Sequence, residues 1–384
     1  MKPLPVLPKN IRPNNMNTEK AISTQERNYG IDLLRLVSMY MVVVLHVLGC
    51  GGILDTCDKF SSNYYTAWLL ETAAYCSVDI FAMITGYVMV NSRFNYFKII
   101  PLWLTVSFYG AVTLILFRYV PYLHQLYEVC KIDFIKATFF PAVTRQYWYF
   151  TGYFCLFFFI PFINRCISHL SQKEFLILCL TIIILFSVVP LFFIGAFALG
   201  GGYNQWWLIS MYFIGAYLKL YPIIITKAKC LLIYVISTLC AWFAGYVLKS
   251  LSGVNEEMSW FVDFTSVFMV IQSGALLLLF SQINIKSKGL QKAILFFSSL
   301  AFSVYLIHVQ PLTYNYLLSW SFASFASDNM VTMTGKVIIA ATAIFIVCLL
   351  IDFLRYHLFK AFKIDGIAKK LQNRFNGAST DKAS

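Results

Sequence analysis

Apolar runs long enough to cross a bilayer recur along almost the whole of this 384-residue chain. That recurrence leaves little freedom in what the chain can become. About ten such spans can be drawn, at 31–50, 69–91, 99–121, 147–166, 175–198, 205–221, 229–250, 261–281, 293–318 and 335–356. With 59% hydrophobic, 18% aromatic and only 12% charged residues, the sequence is too apolar for a soluble domain of this length. The expected fold is all-α: a polytopic integral membrane bundle of about ten transmembrane helices, with both termini cytoplasmic. Residues 31–356 make the membrane domain. The segments between spans offer neither a second domain nor a repeat of the solenoid kind.

The formal charge of +13 would suit a nucleic-acid partner if the cations were clustered on a soluble surface. They follow the membrane topology instead. With the N-terminus inside, roughly 22 of the 30 Lys and Arg fall in cytoplasmic segments, about seven fall outside, and Arg35 remains within a span. Residues 1–30, with Pro3, Pro5, Pro8 and Pro13 and no apolar run before a small-residue cleavage site, read as a disordered cytoplasmic tail and not as a signal peptide. Residues 357–384 read as a basic cytoplasmic tail that alternates Phe359, Phe362 and Ile367 with Lys360, Lys363 and Lys369, as a helix lying on anionic lipid would. The outer loop at 122–146 has the composition of a solvated loop or a short surface helix, and a neighbouring loop carries Glu256 and Glu257. The ten cysteines have no metal-ligand spacing, so no metal is expected. Cys57 and Cys130 both fall in outer loops, which leaves a disulfide between them open.

Ionisable residues inside the spans are costly and therefore informative. In IDLLRLVSMYMVVVLH, residues 31–46, eleven helical steps bring His46 to within roughly 20° of Arg35 on one helix face, about 16 Å away along the axis. A lipid-facing Arg would cost about 2.5–3.5 kcal/mol, so this face should line a protein interior or a wet cavity. The topology places His46 about 22 Å, Asp79 about 18 Å and His308 about 22 Å from the cytoplasmic ends of their spans, with Tyr305 one turn from His308. A neutral His in such a layer can serve as general base toward a hydroxyl, a carboxylate fixing its tautomer. Each His alone could equally be a buried residue bonded to a backbone carbonyl, and Asp79 could neutralise a charge elsewhere. Arg35, Arg93 and Lys98 lie near the cytoplasmic surface and suit an anionic ligand such as a phosphorylated cofactor. The alternatives are an Asp32–Arg35 pair one turn apart and ordinary positive flanks.

Four stretches together resemble the acyltransferase-3 family of membrane O-acyltransferases, whose members modify bacterial surface polysaccharides. Arg35 and His46 match its Arg-x10-His signature; SVDIFAMITGYVMV (77–90) is similar to its second-helix motif; WYF (148–150) running on to Pro161 resembles its fourth-helix pattern; SVYLIHVQP (303–311) resembles its late Ser-x-Tyr-Leu-x-His-x-x-Pro block. The resemblance implies an acetyl-CoA or other acyl-CoA donor bound with help from Arg35, and His46 as the catalytic histidine; the residue reading adds Asp79 as its orienting carboxylate and Arg93 and Lys98 to the donor clamp. The acceptor is expected to be a hydroxyl of an envelope glycan or lipid-linked sugar, and Tyr305, His308 and Trp148 are placed on its side of the same cavity. A bacterial plasma membrane is the expected location. Where other members carry an Arg-rich run after the second helix, this chain offers Arg93 and Lys98. Where others fuse an extracytoplasmic domain, this chain would deliver the acyl group itself or hand it to a separate partner. Two other readings of the polar layer are a transporter binding a small polar solute at its midplane, and a silent docking subunit. Pro161 and Pro190 lack the mirrored partners that transporter repeats commonly show.

Overall fold

The computed structural model describes residues 27–193, 195–252, 258–367 and 370–373. The expectations for the N-terminal tail before residue 27, for Glu256 and Glu257, and for the C-terminal tail from residue 374 lie outside the described residues. Among the described residues every regular element is a helix. The principal ones are α1 (Tyr29–Leu48), α2 (Ser62–Tyr75), α3 (Ser77–Met89), α4 (Ile99–Tyr119), α5 (Trp148–Ile167), α6 (Gln172–Ile183), α7 (Gln205–Leu220), α8 (Lys227–Ser252), α9 (Val267–Ser281), α10 (Lys288–His308) and α11 (Met330–Ala361). Eight helical stretches are long and apolar enough to cross a membrane, α2 and α3 counting as one. The bundle is that of a multi-pass membrane protein.

Two of the expected spans are short. At 1.5 Å per residue, α9 and α7 rise only about 22 and 24 Å, against roughly 30 Å of hydrocarbon. The reason lies just before each helix. Tyr203 precedes the Asn204 cap of α7, and Phe264 lies shortly before the Ser266 cap of α9; both residues line an internal chamber. The missing turns are the space in which that chamber forms.

Another expected span begins earlier than residue 69 and is broken. α2 and α3 meet at Cys76, where the helix is interrupted, although Cys76 O still accepts from Ile80 N (3.1 Å). In a membrane the backbone groups at such a break must find partners within the protein. Ser273 Oγ on α9 donates to Cys76 O (3.0 Å), and Tyr234 Oη on α8 donates to Ala73 O (2.8 Å). The break lets the two halves present their polar residues to different neighbours.

α3 and α7 pack backbone to backbone. A Cβ on Gly86 would sit 2.0 Å from Tyr212 O, and one on Gly215 would sit 2.0 Å from Met83 O, so only glycine permits the approach at either position. The start of α1 is tied down as firmly. Asn28 caps its first turn and donates to Ser281 O at the end of α9 (2.7 Å), which fixes the height of everything α1 carries.

The 122–146 loop contains two short helices, Pro121–Leu126 and Lys131–Phe139. All ten cysteines are free, Cys57 buried and Cys130 exposed, so the two make no bridge.

Candidate active site

α1 carries a charged cluster near its first residue and a histidine near its last, on the face that turns inward. At the first end Asp32, almost wholly buried, takes two guanidinium groups. Arg27 donates to it through Nε (2.6 Å) and Nη2 (3.0 Å), and Arg35 through Nη1 (2.6 Å). The Asp32–Arg35 pair is therefore real, yet it does not consume Arg35. The side chain stays 29% exposed and faces two cavities. One, of about 390 Å³, includes Lys98, Ser92 and Tyr153; the other, of about 440 Å³, includes Arg27, Asn28 and Lys219. Arg93 is exposed and lines neither. Arg27, Arg35 and Lys219 in one cavity with the Asp32 carboxylate leave a net positive seat, which suits phosphate groups.

At the other end of α1 the imidazole of His46 meets that of His308, the last residue of α10, with Nδ1 and Nε2 2.9 Å apart. His308 is 3% exposed and its Nδ1 lies 2.5 Å from Val304 O. This second contact determines the first. A carbonyl can only accept, so His308 Nδ1 carries the proton; a neutral His308 then has an acceptor at Nε2, and His46 must donate from Nδ1. The proton-free nitrogen of His46 is thus Nε2, and among the described residues no hydrogen bond reaches it. Tyr314, in a π turn just beyond α10, packs edge-on against the His46 ring at 5.4 Å and holds its plane.

His46 lines a chamber of about 200 Å³ whose other walls are mostly aromatic, among them Trp148, Tyr149, Tyr203, Phe264 and Tyr305. The chamber and the Lys98 cavity share Phe81, Tyr149 and Phe302, so these three rings form the partition between the two ends of the site. Phe81 and Tyr149 meet edge-on at 6.2 Å. Tyr305 Oη accepts from the Tyr149 N–H (3.4 Å), which ties α10 to α5 at that partition.

Trp148 and Tyr305, expected toward the acceptor, both line the chamber. His308 stands behind His46 and not on the wall. Asp79 is elsewhere. Its carboxylate is fully buried, Oδ1 accepting from Trp207 Nε1 on α7 (2.8 Å) and Oδ2 having no hydrogen-bond partner. The expectation that Asp79 orients His46 thus meets a different geometry: His308 occupies that position, and the α3–α7 contact draws Asp79 toward Trp207. Sequence reading also passed over Glu71, which lines the chamber, and Arg27 and Lys219, which look like ordinary cytoplasmic flanks. Among the described residues no group of three His, Cys, Asp or Glu gathers as a metal site would require.

A family model described as an acyltransferase domain, that of the acyltransferase-3 family, matches residues 28–353. The chain belongs to this family. It is accordingly a membrane acyltransferase, and membership favours acyl transfer over the transport reading of the same polar layer. The matched region begins at the cap of α1 and ends within α11, so both ends of the α1 site lie inside it. Comparisons with curated proteins and with solved structures gave no match.

Proposed function

We propose that this acyltransferase moves an acetyl or similar short acyl group from cytosolic acyl-CoA to a hydroxyl of an envelope polysaccharide or its lipid-linked precursor, in a bacterial plasma membrane with both termini cytoplasmic. The observation that carries the reading is the arrangement along α1. A cationic seat at Arg35 lies about 16 Å from a histidine whose Nε2 has no hydrogen bond among the described residues, beside an aromatic chamber. A donor with a phosphorylated head and a long flexible arm ending in a thioester spans such a layout.

In this reading Arg35, with Lys98 and Lys219 nearby, takes the phosphates, and the arm passes the partition of Phe81, Tyr149 and Phe302. His46 Nε2 accepts the proton of the acceptor hydroxyl as its oxygen attacks the thioester carbonyl. When the tetrahedral intermediate collapses, the C–S bond breaks and the thiolate recovers that proton from the imidazolium, giving ester and free thiol. While His46 is cationic, His308 accepts the Nδ1–H bond and stabilises it, the role a carboxylate fills in other catalytic groups.

The experiment is CoA release from acetyl-CoA by the purified protein in lipid nanodiscs, with and without an envelope-glycan fraction. We expect glycan-dependent release that falls about 10³-fold in His46→Ala. Absence of both release and acetyl-CoA binding in the wild type would overturn the acyl-CoA reading.

A further inference from the structure

Glu71 has no part in the mechanism above, yet it stands in the wall of the chamber that His46 lines. It is 6% exposed, and its Oε2 is buried without a hydrogen-bond partner. A carboxyl oxygen left unsatisfied within a membrane bundle costs free energy, and native proteins keep few of them. The wall beside it is aromatic. Phe264 packs against Trp148 at 5.7 Å and 27°, against Tyr203 at 4.8 Å and against Tyr75, one turn after Glu71, at 4.6 Å. The hydroxyls of Tyr75 and Tyr203 pair at 3.4 Å. The wall thus offers apolar ring faces with a few polar atoms at their edges. At about 200 Å³ the chamber is below the roughly 300–1,000 Å³ of drug-sized sites, which suits a single small ring of the acceptor.

We propose that Glu71 is an acceptor-binding residue: its carboxyl accepts a hydrogen bond from a hydroxyl next to the one being acylated, on a single pyranose ring held against the Trp148, Tyr203 and Phe264 wall. A carboxyl supplies acceptor oxygens in the right number for adjacent hydroxyls, and the aromatic faces suit the C–H face of a sugar ring. Glu71 stands on the same chamber wall as His46, within the space such a ring would fill. This assignment rests on the hydroxyl-acceptor reading above and adds the residue that selects a polyhydroxylated ring over a simple alcohol. A site built to bond a hydroxyl rejects the analogue that lacks it far more strongly than an apolar pocket can.

The test uses the full chain in nanodiscs, with methyl α-glucoside, α-galactoside and α-mannoside and their monodeoxy analogues as probes. The first readout is the thermal stabilisation each sugar gives, which needs no turnover. The wild type should be stabilised by at least one parent sugar and markedly less by one of its deoxy analogues. Glu71→Gln should reduce that stabilisation and Glu71→Ala should remove it. The second readout is steady-state acetyl-CoA turnover. In Glu71→Ala the acceptor KM should rise at least about tenfold while the acetyl-CoA KM stays within about twofold, Glu71→Gln being intermediate. Because the deoxy series is read on the wild type, it stands even where a variant fails to fold. No stabilisation by any parent sugar overturns the assignment, as does a folded Glu71→Ala that keeps the wild-type discrimination or shifts both KM values together. Sugar-dependent stabilisation that requires Glu71, in a protein that releases no CoA, would support the subsite and count against the donor alone.

Discussion

The two ends of α1 solve different recognition problems with different chemistry. Around Arg35 the side chains are cationic, partly exposed and shared between two cavities, and one buried Asp32 holds two guanidinium groups in place. Around His46 the walls are aromatic, the proton-free nitrogen of the imidazole is fixed by a chain of two hydrogen bonds, and the space is small. The first end tolerates motion because a charge attracts phosphate over a range of distances and orientations. The second does not, because proton transfer demands one geometry. Loss of a cation should therefore weaken donor binding by degrees, whereas loss of the hydrogen-bond chain should abolish turnover with donor binding intact.

The sharpest break in this contrast comes at His308, a positioning residue that lies behind His46. His308→Ala leaves the His46 Nδ1–H without its acceptor and frees the ring to change tautomer; we expect kcat to fall about 10²-fold or more with the acetyl-CoA KM within about twofold. His308→Gln keeps an acceptor oxygen within reach and should recover part of the loss. The nitrogen chemical shifts of His46 provide a readout that mere loosening would not move: protonated Nδ1 in the wild type, a mixture of tautomers in His308→Ala. Equal losses in the Ala and Gln variants, with unchanged His46 shifts, would remove His308 from the mechanism.

Removal of the Arg35 guanidinium should act at the other end. A charged hydrogen bond contributes about 1.5–3 kcal/mol, and partial exposure discounts that, so Arg35→Ala should raise the acetyl-CoA KM roughly tenfold and change kcat little. Arg35→Lys should not restore it fully, since a lysine cannot bond Asp32 and a phosphate with separate edges of one planar group. A fall in kcat as large as that in His46→Ala would mean that the two ends are not separable.

What the sequence made legible follows the same division. The Arg35 and His46 face is local helical arithmetic, and the common depth of His46 and His308 follows from span boundaries alone, so both were readable. The bond from His308 to Val304 O lies within one helix and was among the readings open to the sequence; that the two imidazoles touch depends on how closely α1 and α10 pack, which no spacing within one helix reports. Asp79 shares that depth but goes to Trp207, because Gly86 and Gly215 let α3 and α7 approach; these glycines look unremarkable until the partner helix is known. Glu71 lay near an expected span boundary at residue 69, where a carboxylate reads as interfacial. The helix in fact begins at Ser62, which moves Glu71 inward; a Glu among Trp68, Leu69, Leu70 and Ala73 was the available signal. Arg27 and Lys219 fell among residues that topology alone explains.

Asp79 separates structure from chemistry. In Asp79→Asn an amide oxygen can still accept from Trp207 Nε1, and the group never touches His46, so kcat should fall no more than about threefold. Asp79→Ala instead strands the buried indole N–H, which costs about 1–3 kcal/mol, and should lower the melting temperature in nanodiscs before it lowers activity. A hundredfold loss of kcat in a fully folded Asp79→Asn would restore Asp79 to the catalytic group and break the assignment of that role to His308.

The smallest effect distinguishes two neighbours. Lys98 and Arg93 are both exposed cations just beyond α3, but only Lys98 lines a cavity with Arg35. An exposed charge without a fixed partner contributes little at physiological salt, where screening acts over about 8 Å. Lys98→Ala should raise the acetyl-CoA KM by about two- to threefold at low ionic strength and Arg93→Ala by less than about twofold, as read from initial rates. Added salt should erase the Lys98 difference first and the Arg35 difference last, because Arg35 is the more buried and is held by Asp32. An Arg93 effect as large as that of Lys98, and equally sensitive to salt, would mean that the donor end reads the summed field of the surface and not the cavity that Arg35 lines.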